Sequence, residues 1–164
     1  MFALLETPLL PSEALATFET RLNGAGGVVS FVGYVRPEAH GSDVTGLSLQ
    51  AYSPLTETGI ERAITEAETR WPLKAVSVLH RIGDMAPGDP IVFVATASAH
   101  RRPSFEAADF LMDYLKTDAV FWKKELTEKG ARWIEPRAED YQDRSRWDAQ
   151  TGEPRKAPTH VRNQ

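Results

Sequence analysis

The sequence predicts an α+β domain, and three observations lead to that class. Segments with helical periodicity alternate with short apolar segments rich in β-branched and aromatic residues, in the order α-β-β-α-β-β-α-β-β. The predicted strands come in adjacent pairs between helices, which favours an antiparallel or mixed sheet over a doubly wound parallel one. The length of 164 residues and the 41% of hydrophobic residues fit one globular domain.

Turn and capping residues divide the first half of the chain into two helices and two strands. Residues 1–10 are apolar but lack Lys and Arg, so they fit a first strand or the entry to a helix better than a signal peptide. Ser12 is the expected N-cap of the first helix, which ends at the glycine-rich turn of 23–27. The elements that follow are a strand over 28–35, a loop over 37–43, a strand over 44–52 and an amphipathic helix over 56–71.

The second half repeats this alternation and ends in a polar segment. We predict strands over 75–80 and 91–99 around a turn-rich segment, a helix over 104–116, and strands over 119–126 and 132–135. After Trp147 the composition becomes polar and poor in apolar residues. We therefore expect one domain over 1–147 and a mobile tail over 148–164.

The composition excludes several kinds of site. The chain has no cysteine, which rules out disulfides, iron–sulfur ligation and thiol nucleophiles and fits a reducing cytoplasm. No apolar run reaches the roughly 20 residues that span a bilayer. The formal net charge of -4 gives no general attraction to nucleic acid or anionic membranes. The four histidines show no metal-ligand spacing, so we expect neither a metal nor another cofactor.

Two lysines lie close together in the sequence at the end of a helix and in the next strand. Lys116 ends the predicted helix over 104–116, and Lys123 shares one face of the following strand with Phe121. A partly buried lysine beside a second cation has a lowered pKa and can act as an acid, a base or an amine nucleophile. On spacing alone, simpler explanations are a helix-capping charge for Lys116 and a side chain extended over Phe121 for Lys123.

Arginine and histidine follow two of the predicted strands. Arg36 comes after the first strand, and the run His100, Arg101 and Arg102 comes after the strand over 91–99. Arginine binds phosphate or carboxylate through two parallel hydrogen bonds, and histidine can donate to the same anion. The run therefore predicts an anion site, although a solvated loop explains it equally well.

Five segments together resemble the large subunit of molybdopterin synthase. They are FVGYVR (Phe31–Arg36), RWPLKAVSVLHRIGDMAPGD (Arg70–Asp89), SAHR (Ser98–Arg101), FEAADFLMDYLKT (Phe105–Thr117) and FWKKE (Phe121–Glu125). They stand in that family's order and spacing, over roughly residues 3–147. The resemblance implies an α/β hammerhead-like domain with an additional, mostly antiparallel β subdomain, which agrees with the α+β prediction.

The resemblance also implies a function in molybdenum cofactor biosynthesis. The family transfers sulfur from the Gly-Gly thiocarboxylate tail of a small ubiquitin-like subunit to cyclic pyranopterin monophosphate, which forms the dithiolene of molybdopterin. Its large subunit is a dimer within a heterotetramer. Because this chain has no cysteine and ends in Arg162-Asn163-Gln164, we expect the sulfur to arrive on a separate carrier polypeptide.

The matching motifs imply roles for individual residues. Lys116 corresponds to the family's principal catalytic lysine, and Lys123 corresponds to its second. Tyr34 departs from the family, in which this position is often lysine or another polar residue, and the change is expected to affect only a pocket edge. The implied substrate-binding set consists of the two lysines together with Arg36, His100, Arg101 and Arg137.

We hypothesise a division of labour among these groups. The arginines and His100 would hold the phosphate and pterin, while Lys116 acts as general acid or base and Lys123 positions the thiocarboxylate tail. Two rival functions are a dimeric scaffold that binds a ubiquitin-like tail without catalysis, and a nucleotide-binding enzyme that uses the anion site of residues 100–102. The sequence shows no glycine-rich phosphate loop, which counts against the second rival.

Overall fold

The computed structural model describes residues 1–39 and 41–148. The helices of this part of the chain are α1 (Pro11–Glu19), α2 (Leu55–Arg70), α3 (Arg101–Thr117) and α4 (Ala138–Ser145). Its strands are β1 (Phe2–Leu5), β2 (Gly27–Tyr34), β3 (Glu38–Ala39), β4 (Ser42–Ala51), β5 (Leu73–Arg81), β6 (Gly83–Met85), β7 (Pro90–Ser98), β8 (Phe121–Thr127) and β9 (Gly130–Ile134). The mixture of helices and largely antiparallel strands confirms the α+β prediction. Apart from Asp148, the predicted mobile tail lies outside the described residues.

The first sheet has the strand order β1-β5-β7-β2. β1 runs parallel to β5, whereas β5 and β2 both pair antiparallel with β7. Apolar side chains of β7 alternate between the two faces, since Val92 and Val94 belong to one core cluster and Phe93 and Ala95 to another. α2 and α3 cover the first of these faces, and α1 covers the second. A strand buried on both faces explains the continuous apolar run in its sequence.

An aromatic cluster fills the core under α2 and α3. Phe110 of α3 is fully buried, and the rings of Trp71 and Trp147 lie 5.5 and 5.7 Å from its ring. Aromatic rings at these separations attract one another in addition to the area that they bury. Trp147 therefore attaches the segment after α4 to the core of the first sheet.

The second sheet is antiparallel in each of its described pairs. Its order is β3-β4-β8-β9, and β6 also pairs with β4. Leu47 and Leu49 of β4 are buried and pack with Val35 and Met85 in a separate small core. This second sheet has the antiparallel character that the sequence resemblance implies for an additional subdomain.

Two helices begin two or more residues earlier than the sequence predicts. α1 begins at Pro11 with Leu10 as its N-cap, so the prediction of Ser12 as the N-cap is wrong. Proline is favourable at the first helical position, where an N–H would have no partner in the helix. α3 begins at Arg101 instead of residue 104, and His100 is its N-cap. Pro103 fits there because N–H groups of the first turn lack helical acceptors.

The three short elements β3, β6 and α4 are not predicted by the patterns in the sequence. β3 and β6 have only two and three residues and are defined by their pairing with β4. α4 is polar, and its buried Arg144 donates hydrogen bonds to Asp118 at 2.8 Å and to Asp148 at 3.1 Å. β6 and α4 depend on contacts with distant segments, and β3 is too short to show a periodic pattern, so local periodicity identifies none of the three.

Candidate functional site

The end of α3, the hairpin of β8 and β9 and the start of α4 enclose a cavity of about 390 Å³. Only three residues separate Thr117, the last residue of α3, from Phe121, the first residue of β8. The last turn of the helix and the beginning of the strand therefore share the cavity wall. Arg36, which follows the buried Val35, lines the same cavity. This volume lies in the range of pockets that bind small molecules.

Cationic side chains outnumber acidic ones on the cavity wall. The cations are Arg36, Lys116, Lys123, Arg132 and Arg137. The acids are Glu125, Glu135 and Asp140. The cavity therefore attracts anions locally although the whole chain is acidic.

Lys123 lies in the less polar part of this wall. In the second sheet it stands between Leu49 of β4 and Ile134 of β9, and it shares its face of β8 with Phe121. The pKa of Lys123 is lowered to about 8, mainly by burial and also by the charge of Lys116, while the charge of Asp140 opposes the change. Lys123 can therefore exchange a proton near neutral pH.

Lys116 is exposed on the last turn of α3. This position suits a cation because the helix dipole is negative at its C-terminus. The sequence-based explanation of Lys116 as a helix-end charge is thus compatible with its position. The same position also directs the charge toward Lys123, whose pKa it lowers.

A buried histidine supports the wall that carries Lys123. The ring of His80 stacks on Phe121, with ring centroids 4.2 Å apart and an angle of 25° between the planes. Its Nδ1–H donates to the carbonyl of Arg81 at 2.9 Å. The pKa of His80 is lowered to about 4, mainly by burial and also by the charge of Lys123, while the hydrogen bond to Arg81 opposes the change. His80 is consequently neutral at pH 7.

Two ion pairs orient arginines of the cavity. Arg132 lies 3.2 Å from the buried carboxylate of Glu125, which stands opposite it on β8. Arg137 donates to Asp140 both from its backbone N–H, at 2.8 Å, and from its guanidinium, at 3.2 Å. Each acid fixes the direction of one arginine and reduces the repulsion among the cations.

The structure brings together some of the predicted site residues and separates others. Lys116, Lys123, Arg36 and Arg137 all line the cavity. His100 and Arg101 are exposed at the opposite end of α3 and do not line it within this chain. At a helical rise of about 1.5 Å per residue, Arg101 lies about 22 Å along the helix from Lys116.

Four residues at or beside the cavity were not predicted from the sequence: Glu125, Arg132, Asp140 and His80. Glu125 follows Lys123 by two residues on the same strand face, so strand periodicity could have identified it. Arg132 is placed by the hairpin register, and Asp140 belongs to a helix that the sequence does not predict. The predicted separation of β8 into two faces is confirmed, because Phe121 and Lys123 line the cavity and Trp122 is exposed on the other face.

Comparison with protein families gives a match over residues 4–118 to the family described as MoaE protein. The chain belongs to the MoaE family. One relative, the molybdopterin synthase catalytic subunit of Pseudomonas aeruginosa, is 48% identical over 138 residues, which cover 84% of this chain and 92% of that protein. The protein of the same name from Escherichia coli is 51% identical over 122 residues, which cover 74% of this chain and 81% of that protein.

A solved structure of the MoaE family supports the architecture described above. The MoaE protein of Burkholderia ambifaria, from molybdopterin biosynthesis, matches with a TM-score of 0.76 and 36% identity. The match covers 90% of this chain and 97% of that one. The family predicted from the five sequence segments is therefore confirmed.

Residues 1–39 and 41–148 show neither a cluster of metal-ligating side chains nor a membrane-spanning helix. No group of three or more His, Asp or Glu side chains there is arranged to hold a metal ion. In the same residues, no helix has the length and apolar character that crossing a bilayer requires.

Proposed function

We propose that this chain is the catalytic subunit of a molybdopterin synthase. It transfers sulfur from the thiocarboxylated C-terminus of a small ubiquitin-like carrier to cyclic pyranopterin monophosphate, and the product carries the molybdopterin dithiolene. Membership of the MoaE family and the names of the relatives support this function. The observation that carries it is the presence of Lys116 and Lys123 in one cavity with Arg36 and Arg137.

The chemistry needs a cavity that accepts two anions, the thiocarboxylate tail and the substrate phosphate. In each transfer the C–S bond at the carrier's terminal carbonyl breaks, and oxygen from water takes the place of the sulfur, so the carrier ends as a carboxylate. On the pterin the sulfur displaces an oxygen substituent from a side-chain carbon and forms the new C–S bond. A dithiolene contains two sulfurs and therefore requires two such transfers. The excess of cations on the cavity wall fits the binding of the tail and the phosphate together.

The two lysines differ in a way that suggests separate roles. Lys123 has a pKa of about 8, which lies close to physiological pH. A group whose pKa is near the working pH can both accept and release a proton efficiently, so Lys123 suits proton transfer. Lys116 is exposed at the cavity wall, where its ammonium can reach an entering anion. We therefore assign proton transfer to Lys123 and binding of the tail to Lys116, the reverse of the division hypothesised from the sequence.

His100 and Arg101 would complete the site in a dimer. β2 is an edge strand of the first sheet, and its side chains Phe31 and Tyr34 are exposed. Gly27, where β2 begins, pairs with Ser98 near His100, and the other end of β2 leads to Arg36. If two copies pair through this edge about a twofold axis, their two β2 strands run antiparallel. The start of β2 in one copy then lies near the end of β2 in the other, which would place His100 and Arg101 of one copy near Arg36 of its partner.

Replacing Lys116 with alanine tests whether this cavity is the site of sulfur transfer and whether Lys116 binds the tail there. We expect at least about a 100-fold loss, on the order typical of a lost charge-stabilising group, in product formed from thiocarboxylated carrier and cyclic pyranopterin monophosphate. Lys124→Ala is the matched control, since Lys124 lies on the opposite face of β8, over the ring of Trp133. Near-normal product from Lys116→Ala would contradict the assignment. Binding of the carrier without turnover by the wild-type protein would favour the non-catalytic scaffold.

Mixing two inactive variants tests the composite site. In an equal mixture of Lys116→Ala and Arg101→Ala chains, random pairing leaves about a quarter of sites intact if each site uses both copies. If each site lies within one chain, exchange of subunits restores no activity. The reducing cytoplasm expected from the cysteine-free sequence stays a prediction, which fractionation of cells that produce the protein would test.

A further inference from the structure

Asp140 is a buried acid whose role lies outside the reaction scheme above. It belongs to the first turn of α4 and lines the cavity, and its side chain is only 10% exposed. Its Oδ2 accepts the backbone N–H of Arg137 at 2.8 Å, and its Oδ1 accepts the Arg137 guanidinium at 3.2 Å. One carboxylate thus caps α4 and fixes an arginine at the cavity rim.

The charges around Asp140 include both lysines. Burial alone would raise the pKa of Asp140, but hydrogen bonds from Arg137 and the charge of Lys116 hold that pKa below its usual value. In turn, the charge of Asp140 raises the pKa of Lys123. Asp140 is therefore an anion at neutral pH in a cavity whose cations would otherwise repel one another. The other charged groups that face this cavity are Arg36 before β3, Glu125 on β8, Arg132 on β9 and Glu135 after β9.

We propose that Asp140 is a positioning residue of the active site, which holds Arg137 at the rim and offsets the repulsion between Lys116 and Lys123. Two cations in one cavity repel, and a fixed carboxylate lets both remain there before an anionic tail enters. The tail then supplies the negative charge. This role rests on the proposed function, because that function assigns the chemistry to the two lysines.

The test replaces Asp140 with asparagine. Asparagine keeps an oxygen that can cap α4 but removes the charge. Without that charge Lys123 loses its proton more readily, so we expect its titration to move to lower pH by about half a unit or more. The measurement is the pH titration of isotope-labelled dimethyl-lysine signals by NMR, with Lys123 assigned from a Lys123→Arg variant. The pH–rate profile of sulfur transfer should move in the same direction.

Two further variants show whether the effect belongs to this carboxylate. Asp143→Asn removes an exposed charge from the same helix and should leave the Lys123 titration in place. Asp140→Glu keeps the charge, so Lys123 should titrate in this variant at the same pH as in the wild type. If the asparagine variant does not fold, Asp140→Ser, which also offers an oxygen to the cap, carries the same expectation.

Three results would overturn the role of Asp140: an unchanged Lys123 titration in folded Asp140→Asn, an equal change in Asp143→Asn, or a glutamate variant that behaves like the asparagine variant. The titration needs neither carrier nor pterin. A wild-type protein that forms no product would therefore refute the proposed function, while the NMR titration would still decide whether Asp140 acts on Lys123.

Discussion

Replacing Lys123 with methionine should stabilise the protein while abolishing its activity. A fall in pKa from 10.5 to about 8 means that folding favours the neutral lysine by about 3 kcal/mol. Lys123 therefore lowers the free energy of unfolding, because the folded state must hold it charged. This destabilisation is present in full below pH 8 and disappears as the pH rises from 8 to 10.5. Methionine has a similar length and no charge. Because Lys123 is partly exposed, we expect a smaller gain at pH 7, of about 1–3 kcal/mol.

Urea unfolding of wild type and Lys123→Met at pH 7 and near pH 10.5 measures this effect. The free energy of unfolding of the variant should exceed that of the wild type at pH 7, and the difference should shrink at the higher pH. Lys124→Met is the control, because the ammonium of Lys124 lies 5.5 Å from the centre of the Trp133 ring on the outer face of the hairpin. A variant less stable than wild type at pH 7, or a difference that does not change with pH, would refute the reasoning.

Two other predictions concern the core. Acidification from pH 6.5 to 4 should destabilise the wild type, because the folded state holds the imidazole of His80 neutral while the unfolded state takes up a proton. The variant His80→Phe keeps the ring stack on Phe121 but has no imidazole to protonate. Its thermal unfolding should therefore lack that part of the pH dependence. An equal pH dependence in both proteins would contradict this account. Phe110→Ala should lower the free energy of unfolding by about 3–5 kcal/mol in urea, since it leaves a cavity beside Trp71 and Trp147. A loss below about 1 kcal/mol, no more than a surface substitution causes, would show that the aromatic cluster closes around the gap.

Much of the fold could be predicted from the sequence because it depends on local patterns. Helical spacing identifies α2 and most of α3, and apolar β-branched runs identify β2, β5 and β7. The strand period also places Phe121 and Lys123 on one face of β8. The motifs that surround the lysines further predict the family, which the comparison over residues 4–118 confirms. The helix starts are less well predicted, because a proline in the first turn is compatible with several boundaries.

Only the tertiary structure decides which of these residues meet. Hairpin register places Arg132 opposite Glu125, and a polar helix without an apolar stripe brings Asp140 beneath Arg137. The length of α3 separates Arg101 from Lys116 within one chain, although both residues belong to segments that resemble the same family. The sequence by itself determines that Lys123 shares a strand face with an aromatic residue. Its pKa depends on burial and on charges from α3 and α4, and these are set by packing between segments that local sequence does not relate.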